Sequence, residues 1–428
     1  MQKLAPSLRW TSYDGWKYKG MEDRLKALVT KLDMGVLQHH AELVKGQKVS
    51  MSEPFSAGQY WVCFELIAED GSLVIARVRL PRHPLALSSV SEEDEQYAIA
   101  CEISTMHFVK QRLPKLAVPC VYAYEGPGSQ LALDAGAAYM LIEGFYGNTL
   151  QDVVPDLCSL SASKLEHVMA QWTTIQSSLA TLTYSQIGSI SAITETGEPV
   201  IGKLSSAAAE GLISQGPFQS AVDYFTALGE AALRRAYADS GTQNLSHFRK
   251  LGALLFLDIV QSTQLFKVHH TQYPLNHMDL GTQNVLVDDD LNFLAVIDWE
   301  FAQTAPWQVN HYPMPFPLLW SDERIKNILN NPDHLAYKNV SRQAAARKLY
   351  CRKFDEAAAK LAQDGLSLSD SYPEVLEGAA SRIYACFCKV GDVPEQDEGL
   401  VNEMARLAFG FDAERTKQYL EYLLYKQR

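Results

Sequence analysis

The chain has 428 residues, which at roughly 100 to 200 per domain allows two or three domains or one large two-lobed enzyme and rules out a small scaffold. Its 47% hydrophobic, 21% charged and 10% aromatic residues are those of a soluble globular chain with a sizeable core, not of a disordered one. Thirty-eight Lys and Arg against 50 Asp and Glu leave a formal charge of −12, which disfavours nucleic acid and anionic membrane as partners.

In chain order, residues 1–47 read as an N-terminal extension, with Trp10, Tyr13, Trp16 and Tyr18 followed by a helical pattern at Leu25, Leu28, Val29 and Leu32. From Lys48 the texture turns to strands: Tyr60 to Ile67 and Leu73 to Leu80 are separated by the turn residues Glu69-Asp70-Gly71-Ser72. Ser91 and the acidic run behind it predict a helix start, and the helical pattern runs to Leu113 before Pro114. Val118 to Tyr124 and Ala138 to Ile142 read as two further strands around a Gly/Pro-rich loop. Past Gly147 helices dominate. The clearest carries Leu165, Val168, Met169, Trp172, Ile175, Leu179 and Leu182 on one stripe, and others are expected at 224–237, 251–266, 344–361 and 402–425. Residues 188–216 read as a Gly/Ser-rich loop. The seven cysteines lack zinc-site or redox spacing, and neither a signal-peptide core nor a bilayer-length apolar run is seen, so the expected compartment is the reducing cytoplasm.

The chemistry concentrates between His277 and Glu300. His277-Met-Asp279 leads to Asn284, a short apolar strand follows, then the turn Asp288 to Asn292, then a second strand ending at Asp298-Trp-Glu300. Folding this hairpin brings its outer ends together, so Asn284 meets Asp298 with Asp279 on the loop feeding in. Two carboxylates and an amide suit phosphoryl transfer, which needs hard oxygen ligands for magnesium and an acid to orient the attacking hydroxyl.

The H-x-D-x-x-x-x-N spacing followed by I-D-W-E resembles the aminoglycoside phosphotransferase and choline kinase family, relatives of protein kinases, and most closely its fungal aminoglycoside-phosphotransferase-like branch. The resemblance covers about residues 49–307. It implies Asp279 as catalytic base, Asn284 and Asp298 as magnesium ligands and His277 as a brace for the catalytic loop; Glu300 receives no fixed role. Asp288, Asp289 and Asp290 read as a solvated turn.

Ser56 and Gly58 lie in the stretch where such an enzyme folds a glycine loop over the nucleotide phosphates, although a single glycine also suits an ordinary hairpin turn. Arg77 stands where the family usually has a phosphate-gripping lysine, with Arg79 on the same strand face, so the register between them stays open. Glu102 shares a helix face with Ala98, Met106 and Val109, points inward, and needs a cation, for which Arg77 is the expected partner. Glu143 and Phe145 fall where the resemblance puts the strand and linker whose backbone would bind an adenine edge, although locally the stretch also suits any strand-to-loop exit. The proline-rich stretch His311 to Trp320 offers Tyr312, Phe316 and Trp320 as a substrate wall or as core filling. The pairs His39-His40 and His269-His270 receive no role.

These readings lead to an α+β, bilobal, protein-kinase-like fold. A nucleotide-binding β-rich N-lobe is expected at 48–146 and a helical C-lobe at 147–428. The expected activity is ATP- and magnesium-dependent transfer of the γ-phosphate to a hydroxyl of a small molecule, with a lean toward a cationic one, and with no nucleic-acid or membrane partner. The alternative, kept open by the arginine in place of lysine and the sparse glycine loop, is a pseudokinase serving as a nucleotide-binding or interaction module. A protein kinase is disfavoured because Asp298-Trp-Glu lacks the glycine of D-F-G and no A-P-E-like segment follows.

Overall fold

The computed structural model describes residues 4–10, 21–82, 90–238, 245–267, 272–310 and 322–426. Tyr13, Trp16, Tyr18, His269, His270 and the stretch His311 to Trp320 lie outside the described residues. The chain is an α+β protein that divides into two compact units. The first comprises Met1–Leu157, Ile193–Glu198 and Asp279–Glu300, and the second Cys158–Ala192, Pro199–Met278 and Phe301–Arg428. The stretch from Asp279 to Glu300, placed by sequence with the helical region, therefore packs with the sheet-bearing unit.

The first unit is built on strands β1 (Val49–Met51), β2 (Ser56–Ala57), β3 (Trp61–Ala68), β4 (Leu73–Arg79), β5 (Val121–Glu125) and β6 (Tyr139–Gly144). They form one sheet in the order β1-β3-β4-β6-β5, with β2 paired to β3. Strand alternation sends Val62, Phe64, Leu66, Val74, Ala76 and Val78 to one face. There they pack with Leu25, Leu28, Leu37 and Ala41 of the helices α1 (Met21–Val29) and α2 (Met34–Lys45). The N-terminal helices are thus part of this unit's core. The opposite face carries Trp61, Met140 and Ile142, which pack with Ile99 of α3 (Glu92–Arg112). A capping box starts α3, as the serine and acidic run suggested: Ser91 and Asp94 each accept the other's backbone N–H. Between β5 and β6 the chain also forms the short helix α4 (Gln130–Ala135), where sequence gave a loop.

The linker after β6 leads to β7 (Asn148–Thr149) and the short helix α5 (Leu150–Val153). The hairpin strands β8 (Val285–Val287) and β9 (Phe293–Val296) pair antiparallel, Val285 opposite Val296, and β8 also pairs with β7. The Val296 amide donates to the Ala117 carbonyl at 2.8 Å. Gly147 lies so close to the hairpin that a Cβ there would meet the Val287 carbonyl at 2.6 Å. Between the strands, Asp288 accepts the Asp290 and Asn292 amides and Leu291 takes a left-handed φ of 65°, so the acidic turn is a local hydrogen-bonded cap.

The second unit is mainly helical. Helix Ala162–Ala180 buries Val168, Met169, Trp172, Ile175 and Leu179, and the Tyr350 hydroxyl on helix Tyr337–Gln363 donates to its Gln176 at 2.6 Å. Helices Ala221–Ala238, Leu245–Ser262, Ala379–Lys389 and Pro394–Phe409 share an aromatic core in which Phe256 stacks on Phe387 at 3.9 Å. Two expectations change here. The single helix foreseen over 402–425 breaks at Gly410, whose φ of 72° ends one helix before Ala413–Lys426 begins. The loop foreseen at 188–216 holds short strands at Ile190–Ile193 and Pro199–Ile201 and a short helix at Ala207–Glu210.

Candidate functional site

Register determines which β4 residues can reach α3. Arg77 lies opposite Cys63 of β3 and Met140 of β6, on the face that α3 covers. Its Nη1 donates to Glu102 Oε1 at 2.5 Å, and its guanidinium rests 4.9 Å from the Trp61 ring centre. Glu102 is only 1% exposed, and its second oxygen has no hydrogen-bond partner among the described residues, so the carboxylate depends on this one cation. Arg79, two residues on, pairs instead with Glu95 at 3.1 Å and lies over Tyr60 and Trp61. Of the two arginines, Arg77 is therefore the one that pairs with Glu102.

The hairpin brings the other group together. The Ile297 amide donates to the Asn284 carbonyl at 2.9 Å, which sets Asn284 beside the exit of β9 and hence near Asp298. Asn284 is buried, and its Nδ2 donates both to the Asp279 carbonyl at 2.8 Å and to Asp279 Oδ2 at 2.9 Å. Asp298 takes a left-handed φ of 65°, a conformation that costs a non-glycine residue on the order of 1 kcal/mol and is held by its surroundings. The buried Trp299 ring supplies part of that hold by donating to the Val296 carbonyl at 2.9 Å.

The electrostatics join the two groups. Burial pushes the Asp298 carboxyl up to about 6; Arg77 pulls it down, while Glu102 and Asp279 push it further up. Burial also lifts Glu300 to about 8, assisted by Asp298 and Glu102 against Arg77 and Arg79. Asp279 is open to solvent, yet the protein atoms around it remove enough water to raise its pKa despite hydrogen bonds from Asn284 and Gln283. For Arg77, burial opposes the charge, but Glu102 and Asp298 outweigh it and raise the pKa. The site thus holds more carboxylate than its two arginines neutralise. Surplus partly buried negative charge with hard oxygen donors suits a divalent cation. Among the described residues no group of three or more His, Cys, Asp or Glu is arranged to hold a metal ion, so Asn284 and Asp298 would need oxygens from a ligand or water.

The remaining predicted residues are more widely placed. The Gly58 amide donates to the Trp61 carbonyl at 2.8 Å, which closes a hairpin and spends the N–H that a phosphate cradle would use. Ser56 pairs across from Cys63. Glu143 accepts from the Cys120 amide and from Lys110 Nζ, both at 3.0 Å; burial raises its pKa, but these donors outweigh it and hold it below the usual range. The Phe145 carbonyl accepts the Gly147 amide at 3.0 Å. His277 is buried at the end of the strand Tyr273–Asn276 in the second unit, and Met278 after it takes a φ of 64°.

Sequence reasoning gave no role to Glu300, Lys110 or Arg24. Glu300 had a signal in its place two residues after Asp298; Lys110 and Arg24 had none. Arg24 of α1 is 6% exposed and donates to the carbonyls of Gln59 and Pro81, both at 2.8 Å, tying the loop after Gly58 to the end of β4.

The sequence matches no family model and no curated relative. Among solved structures, the chain is similar to one from Thermobifida fusca with a provisional fructosamine-3-kinase assignment, at 13% identity and TM-score 0.43 over 87% of this chain and 98% of that one. It is similar at 12% identity and TM-score 0.40 to a macrolide 2′-phosphotransferase from Brachybacterium faecium, over 90% and 96%. A glucosamine kinase gives 13% and 0.39, over 92% and 98%. Likenesses this slight transfer no activity to this chain.

Proposed function

We propose that this protein is an ATP- and magnesium-dependent phosphotransferase that moves the γ-phosphate to a hydroxyl of a small molecule. The observation that supports this reading best is the convergence of Asp279, Asn284 and Asp298 at the hairpin's open end, beside the buried Arg77–Glu102 pair, with carboxylate in excess.

In this reading Asn284 and Asp298 would hold magnesium, whose charge would offset that of the nucleotide's phosphates. Arg77 keeps its Glu102 contact and turns its remaining N–H donors to a phosphate oxygen. Asp279, its pKa raised and its orientation fixed by Asn284, accepts the proton of the acceptor hydroxyl. The acceptor class rests on the spacing of the motif, and the net charge of −12 leans toward a cationic alcohol such as an amino sugar or a choline-like amine.

The test is a screen of hydroxylated amines, sugars and other small alcohols for ADP release, repeated with Asp279→Asn. For an accepted substrate the variant keeps nucleotide binding and loses turnover by a factor on the order of 100 to 10,000. Wild-type turnover by the variant removes Asp279 from the base role; phosphate appearing only on proteins removes the small-molecule class.

A further inference from the structure

The face of the sheet that carries Arg77 also carries Cys63 and Glu65 of β3, because side chains two apart on a strand share a face. Glu65 lies opposite Ile75, which in turn lies opposite Ile142, so this strip runs from Arg77 toward Gly144 and the linker. From Arg77 to Leu73, the partner of Gly144, the strand covers roughly 13 Å. If phosphates are held at Arg77 and Asp298 and the base at the linker backbone, as the proposed function requires, the nucleotide lies along this strip.

In the structure the linker end of that strip, at Glu65 and Gly147, is met by the chain's own N-terminal segment. The 3-10 turn Pro6–Leu8 sets Ser7 against Glu65: the Ser7 amide donates to Oε2 at 2.8 Å and its hydroxyl donates to Oε1. Glu65 is left only 3% exposed. Trp10 packs edge-to-face on Phe55 with ring centres 5.3 Å apart, and its indole N–H donates to the Gly147 carbonyl in the linker at 3.2 Å. Asn148 donates to the Arg9 carbonyl at 3.0 Å, and the Arg9 guanidinium pairs with Asp289 of the acidic turn. The segment is therefore fastened to the strand, the linker and the catalytic hairpin within one unit.

We infer that Leu4–Trp10 is an autoinhibitory strap that occupies the nucleotide's place and must leave before ATP can bind. This rests on the kinase reading. Two ligands compete for the same groups: Glu65 accepts Ser7 donors where a ribose or base donor would bond, and the Gly147 carbonyl accepts the Trp10 indole. A strap closed in nine molecules of ten lowers apparent nucleotide affinity about tenfold, and its removal restores that factor.

The experiment compares magnesium-ATP affinity, by calorimetry on the full chain, for wild type, Ser7→Asp/Trp10→Ala, the control Leu8→Ser, and Ser7→Asp/Trp10→Ala/Asp298→Ala. Leu8 is exposed and its side chain takes part in none of the hydrogen bonds above, so its variant should match wild type. The strap predicts binding at least about tenfold tighter in the double variant, and loss of that binding when Asp298 is also removed. Equal or weaker binding in the double variant, with binding still dependent on Asp298, overturns the strap and leaves the kinase reading standing. No binding by wild type or by the released variant overturns the kinase reading and the strap with it. A second measurement needs no variant: saturating magnesium-ATP should speed hydrogen exchange at the Ser7 amide of the wild type, and unchanged or slower exchange there overturns the strap.

Discussion

Replacing Arg77 by Ala tests the electrostatic centre of the first unit. The substitution removes the cation 2.5 Å from Glu102 Oε1; the Glu102 side chain is 1% exposed, its Oε2 has no hydrogen-bond partner among the described residues, and it acts electrostatically on Asp298 and Glu300. Removing one member of a buried pair costs about 3–5 kcal/mol, against the 5–15 kcal/mol total of a typical domain. The Arg77 side chain retains 12% exposure, so water can enter the vacated space and the lower end, about 3 kcal/mol, is expected. Two compact units need not unfold together, so the assay is hydrogen exchange at the β4 amides, which reports the opening of their own unit. A loss of about 3 kcal/mol speeds their exchange roughly 100-fold. Arg77→Lys keeps the charge, loses the planar fork, and should fall between wild type and Ala in both protection and activity. The double variant Arg77→Leu/Glu102→Leu should regain most of the protection, since replacing both partners of a buried pair by apolar groups is often neutral, but not the activity. Exchange in Arg77→Ala within about threefold of wild type would refute the claim that Glu102 depends on this arginine.

Asp298 and Glu300 have folded-state pKa values raised to about 6 and about 8, so their contribution to stability is fully present below the unfolded values near 4 and is lost as pH rises through 6 and then 8. The melting temperature of the ligand-free protein should therefore fall more steeply between pH 5 and 8.5 in wild type than in Asp298→Asn/Glu300→Gln; equal slopes contradict this. Gly147→Ala places a Cβ 2.6 Å from the Val287 carbonyl and 2.7 Å from Leu294 Cδ1. Hydrogen exchange at the β8 amides should report a loss of about 1–3 kcal/mol, the usual range for overpacking, and unchanged exchange would mean that the hairpin does not dock against Gly147.

The parts of the site that could be read in the sequence are those that local rules determine. The turn residues Asp288 to Asn292 between two apolar runs define a hairpin, and a hairpin places Asn284 beside Asp298 whatever the rest of the chain does. The stripe on helix Ala162–Ala180 and the serine cap of α3 were legible for the same reason. What escaped was tertiary. Ser7 donating to Glu65, 58 residues away, leaves no trace in spacing, and neither does Arg24 reaching the Gln59 carbonyl. Gly58 could be read from its residue type either as a phosphate loop or as an ordinary hairpin turn, and its amide makes the hairpin bond to Trp61. The left-handed backbone at Asp298 had no glycine to announce it, because the surrounding packing and the Trp299 hydrogen bond hold an aspartate there.

The central claim, that the hairpin's open end is a magnesium-nucleotide site, is tested most directly by titrating ATP into wild type and Asp298→Ala by calorimetry, each with and without magnesium. If Asp298 is the carboxylate that holds the metal, magnesium should strengthen ATP binding at least tenfold in wild type and not at all in the variant. Equal magnesium-ATP affinity in the two proteins, or no ATP binding by the wild type under either condition, would contradict it.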